Sequence, residues 1–134
     1  MLAAVTLVMA GCPTVDLGEE PVAPGACRPD PAYFESVIWP EFIEANSEPA
    51  RSCIAASGCH DSENNGRSSL RFQTRAPLNF QLNYDIMTRF LNCATPEAST
   101  ALTKPESGVA PHGGGDLFDS TNAAHTTFLD WFAL

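Results

Sequence analysis

Positive charge is scarce in this chain. Of its 134 residues, 7 are Lys or Arg against 16 Asp or Glu, a formal net charge of −9. Such a surface repels phosphate backbones and argues against nucleic-acid binding or a helix lying on an anionic membrane. No stretch of 18 uncharged apolar residues occurs, so no mature helix is expected to span a bilayer. Walker, Rossmann and nucleophile-elbow motifs are missing, as are internal repeats, paired carboxylates in an arguable cleft, and a Ser/His/Asp set beyond chance. These absences argue against an enzyme of the hydrolytic or phosphoryl-transfer kind. The chain does have 44% apolar residues, enough for one small core, and five cysteines, a high number for its length.

The N-terminal residues Met1 to Gly11 are almost wholly apolar and stop at Cys12. Met9-Ala10-Gly11-Cys12 resembles the lipobox of a bacterial lipoprotein signal peptide. The resemblance implies lipidation of Cys12 and an exported, periplasmic or outer-envelope protein held to the membrane by its lipid alone. No Lys or Arg precedes the apolar run, unlike the usual signal sequence. Residues 13–30 alternate Pro and Gly with acidic side chains and read as a tether unable to bury a core. An exported chain meets oxidising conditions, in which cysteines pair or carry covalent groups.

The body, 31–134, reads as helical. Asp30-Pro31 is a strong helix start, and Phe34, Ile38 and Phe42 recur every four residues to make an apolar face. Pro40 predicts a kink or break near Trp39, and Asn46 to Pro49 an end. Leu70 to Thr74 alternates as a short strand would. Asn83 or Asp85 is the expected cap of a second helix bearing Ile86, Met87, Phe90 and Leu91. Residues 94–119 read as a long loop, the kind retained for function. Ser120 or Thr121 then starts a last helix that presents Ala124, Phe128, Trp131 and Phe132 on one face.

The chemistry lies in Cys53-Ile54-Ala55-Ala56-Ser57-Gly58-Cys59-His60. Two thiols followed at once by histidine suit covalent haem attachment: the sulfurs add to the two vinyl groups, and the imidazole reaches the iron. The usual spacing is Cys-x-x-Cys-His. Here it is Cys-x5-Cys-His, workable if the small residues between the thiols loop outward. The plainer reading of the same eight residues is a local Cys53–Cys59 disulfide beside a solvated His60.

From Tyr33 onward the chain resembles the small class I c-type cytochrome domains, in particular cytochrome-like bacterial lipoprotein modules. The resemblance rests on Tyr33, Phe34, Ile38 and Pro40, then Cys-His, then Ser99, Leu102, Lys104 and Pro105. It continues with His112-Gly113-Gly114-Gly115, Phe118, and a terminal Phe128, Leu129, Trp131. It implies an all-α fold with long loops around one haem c, its first and last helices crossing. It also implies an electron carrier rather than a catalyst, served by a redox partner whose docking surface is expected to be basic. Such domains place the second axial ligand in the loop before the last helix, most often a methionine. His112 holds that place here, which gives bis-histidine iron with His60, whereas Met87 on a helix stripe reads as core packing. His125, near a helix start, reads as a surface residue.

With Cys12 set aside for lipid, four cysteines allow three pairings. Haem on Cys53 and Cys59 leaves Cys27 and Cys93 as a disulfide between tether and middle helix. A haem-free, disulfide-stapled envelope lipoprotein used for binding or scaffolding needs two disulfides instead. A zinc or copper site of His60, His112 and thiolates is a third arrangement.

Overall fold

The structure, a computed structural model, describes residues 25–44, 53–54, 59–63 and 68–134. The apolar leader, Cys12 and tether residues 13–24 lie outside the described residues.

Helix α1 (Pro31–Tyr33) begins where Asp30 accepts the Ala32 N–H at 2.9 Å, with proline at the first helical position. It runs on as a π-wound stretch, Phe34–Glu44, with Pro40 inside. The break expected near Trp39 does not occur. Proline lacks an N–H and crowds the preceding turn, and the wider winding carries the chain past it. The expected end, between Asn46 and Pro49, lies outside the described residues.

Helix α2 (Phe80–Met87) starts earlier than expected, because Asn79 caps it by accepting the Leu82 N–H at 2.9 Å. Asn83 is instead buried inside α2: its amide accepts from Gln73 N–H and donates to Gln73 C=O, both at 2.8 Å. A 3-10 turn (Thr88–Phe90) ends this element. The stretch 94–119 is less of a loop than it reads, since it holds a 3-10 turn (Pro96–Ala98) and the short helix α3 (Thr100–Thr103). The last helix, α4 (Ala123–Asp130), is capped by Asn122 rather than by Ser120 or Thr121. Thr121 is already engaged, its hydroxyl donating to Asp119.

No strand forms among the described residues. Leu70 to Thr74 contributes one bridge, Asp61 with Phe72, and a second joins Glu106 to Phe118. The described residues therefore make an all-α body, its α4 packed on the π stretch. The two apolar faces meet as their spacings suggest: Phe42 lies 5.1 Å from Phe128 and Phe34 5.6 Å from Trp131, between ring centroids. Met87 is core, only 1% exposed.

Residues 25–30, the end of the expected tether, lie against this body. Cys27 is buried and disulfide-bonded to Cys93, with Cα atoms 5.3 Å apart. The Tyr84 hydroxyl donates to Pro29 C=O at 2.6 Å, and the Trp131 indole N–H donates to Asp30 C=O at 2.7 Å.

Candidate functional site

His60 follows Cys59 in a turn held by the Asp61–Phe72 bridge, where Phe72 N–H donates to His60 C=O at 2.7 Å. Its ring Nδ1 lies 2.8 Å from Leu70 C=O and 2.9 Å from the Ser68 hydroxyl. A carbonyl only accepts, so Nδ1 carries the proton and donates, and the lone pair of the ring is left on Nε2. Burial pushes the His60 pKa below its ordinary value; the Leu70 bond opposes that and the neighbouring His112 adds to it. Both effects leave a neutral imidazole, the form that binds a metal.

His112 reaches the same place from the long loop. Its Nδ1 donates to Gly115 C=O at 2.7 Å while Gly115 N–H donates back to His112 C=O at 3.0 Å. This tight turn needs Gly115 at φ +77°, a conformation that side chains rarely adopt. It also needs Gly114, where a Cβ would stand 3.1 Å from His112 Cε1. The loop is closed at its base by the Glu106–Phe118 bridge. Ser107 N–H donates to Phe118 C=O and Leu117 N–H to Pro105 C=O, each at 2.8 Å.

The ring centroids of the two imidazoles lie 5.9 Å apart, with planes 15° from parallel. Aromatic rings in contact have centroids about 4.5–7 Å apart, a range that includes this one. One metal atom bound to a nitrogen of each ring at roughly 2 Å sets the centroids about 6 Å apart. Both rings line one cleft, walled by Phe42, Leu70, Phe72, Met87 and Phe90.

Cys53 lines this cleft as well. It is tied to the end of the π stretch, its N–H donating to Ile43 C=O at 3.2 Å and its thiol to Phe42 C=O at 3.7 Å. Burial pushes its pKa up to about 12, so it is held as the neutral thiol. Cys59 is exposed, and neither cysteine is disulfide-bonded. The Cys53–Cys59 bridge required by the stapled, haem-free reading is thus not formed, whereas Cys27–Cys93 is.

His125 departs from expectation. It is half-buried, its Nδ1 3.3 Å from Oε1 of the buried Glu106, because the base of the His112 loop packs on the start of α4.

Among the described residues, no three His, Cys, Asp or Glu side chains converge as a metal cage. A haem supplies four of the iron's donors itself, so two imidazoles suffice for it; the donor set present here fits that group and not a protein-only zinc site. The sequence gives no sign of the groups that orient the rings, since two of them are backbone carbonyls, of Leu70 and Gly115. Ser68 had no signal either. In comparison with known proteins, the chain matches no family model, no curated protein and no solved structure.

Proposed function

We propose that this chain is an electron-transfer c-type haem protein, with one haem held by Cys53 and Cys59 and ligated by His60 and His112. The observation that carries the proposal is the pair of near-parallel imidazoles, 5.9 Å apart across an apolar cleft, each with Nδ1 committed to a carbonyl. Haem supplies the one-electron ferrous/ferric couple. The chain supplies everything that makes the couple usable.

Cys53 and Cys59 would hold the haem covalently through its two vinyl groups. Cys53 lines the cleft as a neutral thiol. His60 and His112 would both ligate the iron and leave no open site on it for a substrate, so the protein acts as a carrier rather than a catalyst. Histidine in place of methionine sets a lower potential than in Met/His cytochromes. The Leu70 and Gly115 carbonyls fix each ring's tautomer and direction, and the aromatic walls keep water off the iron. With a net charge of −9, the redox partner is expected to dock through a basic surface. The Cys27–Cys93 disulfide supports an exported setting, in keeping with the lipobox-like residues ahead of it.

The test is the protein purified from an exporting host. It should be coloured, with a Soret band and α/β bands that survive acid-acetone extraction, and heavier by the mass of one haem. Joint replacement Cys53→Ala and Cys59→Ala should leave no extraction-resistant colour. His112→Ala should give a coloured, high-spin protein, and an unchanged low-spin spectrum would remove His112 from the iron. A colourless wild-type protein of plain polypeptide mass overturns the proposal and leaves the stapled lipoprotein.

A further inference from the structure

The cleft between the imidazoles has an unusual charge pattern for this molecule. In a chain with 16 acidic and 7 basic residues, no Asp or Glu among the described residues lines it. Its one permanently charged lining residue is Lys104, the only lysine in the sequence. Lys104 closes helix α3, its backbone N–H donating to Thr100 C=O at 3.3 Å, so Lys104 and Thr100 share one turn. Both are exposed and both line the cleft, which puts them at its mouth.

The Lys104 ammonium makes no ion pair among the described residues. The nearest acid in sequence, Glu106, is buried, its Oε1 3.3 Å from His125 Nδ1. A cation at the rim of an apolar, acid-free cleft is suited to a ligand that is apolar over most of its area and carboxylated at one edge. Haem has that shape: its vinyl groups lie on one edge and its two propionate carboxylates on the opposite one. Cys53 enters the cleft from the end of the π stretch, and Lys104 enters from α3.

We propose that Lys104 receives a haem propionate at the mouth of the cleft and so fixes which edge of the macrocycle faces solvent. This rests on the haem reading above and adds the group that orients the macrocycle.

The experiment uses the full chain with Cys53→Ala and Cys59→Ala, so that haem binds without covalent attachment, and titrates it with haem and with haem dimethyl ester. The free acid should bind about threefold or more tightly than the diester, the scale of one partly exposed charge pair. Adding Lys104→Gln should erase that preference, and Lys104→Arg should keep it. A second measurement uses the covalently loaded protein: Lys104→Gln should lower the midpoint potential, because a cation near the ring is lost, and Lys104→Arg should leave it near the wild-type value. A preference and a potential both indifferent to Lys104→Gln in a coloured protein overturn this inference alone. A colourless wild-type protein overturns the haem reading and this inference with it.

Discussion

Cys53 and Cys59 stand seven residues and one residue ahead of His60, yet they are chemically unlike. Cys53 is inside, its pKa pushed up to about 12 by burial, which keeps it as the thiol; Cys59 is exposed. In the haem-free folded protein, iodoacetamide at mildly alkaline pH should therefore modify Cys59 quickly and Cys53 only after denaturation, as peptide mass mapping would show. Equal labelling of both in the folded state would contradict the burial. A second single-residue prediction concerns Gly114. In Gly114→Ala the new methyl meets the His112 ring at about its Cε1 atom, 3.1 Å away, and a ring held by Gly115 C=O has little room to yield. The loaded variant should show a growing high-spin fraction in electron paramagnetic resonance, and a wholly low-spin signal would mean that the turn absorbs the methyl. The two histidines themselves were legible in the sequence, one from its place after a cysteine and the other from the Pro-His-Gly-Gly-Gly run. What holds them was not, because a carbonyl acceptor such as that of Leu70 is present in every residue and leaves no trace in residue type.

Among the elements, the sequence located helices well and their first residues poorly. The apolar faces of the first and last helices were readable because four-residue spacing survives any small shift of the ends, as Phe42 against Phe128 illustrates. The caps were misplaced for a common reason: Asn, Asp, Ser and Thr have other uses. Asn83 looked like a cap, but it pairs with both backbone groups of Gln73 and joins α2 to the segment that carries Phe72. Asn83→Leu should cost about 1–3 kcal/mol by leaving the Gln73 N–H and C=O unpaired in the interior, measured as a lower denaturant midpoint. A loss near zero would mean that solvent reaches Gln73. The larger change is Phe128→Ala, which opens a hole at the centre of the α4 interface and should cost about 3–5 kcal/mol. Of the kink or break expected at Pro40, the break does not occur, because the wide winding lets the helix go on.

At the scale of the whole molecule, the Cys27–Cys93 bridge closes a 66-residue separation that contains the π stretch, Cys53, Cys59 and His60. Restricting so long a loop in the unfolded chain contributes about 4 kcal/mol. Paired Cys27→Ser and Cys93→Ser substitution should therefore lower stability by an amount of that order in urea titration, with the coloured protein less affected because thioether bonds constrain part of the same loop. Cysteine arithmetic made this pairing legible only after Cys53 and Cys59 had been given another use; alone, it left three pairings open. Just beyond the bridge, two backbone carbonyls, of Pro29 and Asp30, take bonds from Tyr84 on α2 and from Trp131 just after α4. The entry of the chain into its folded body and the exit of its last helix are thus stitched at one seam. A pull on the N-terminal end meets the Cys27–Cys93 bridge first and is passed through it into the core, while a pull on the C-terminal end loads the Trp131 bond to Asp30. In an optical-tweezers experiment pulling from the two ends, the rupture force should fall when Trp131 is replaced by Phe, which keeps an aromatic ring and loses the indole N–H.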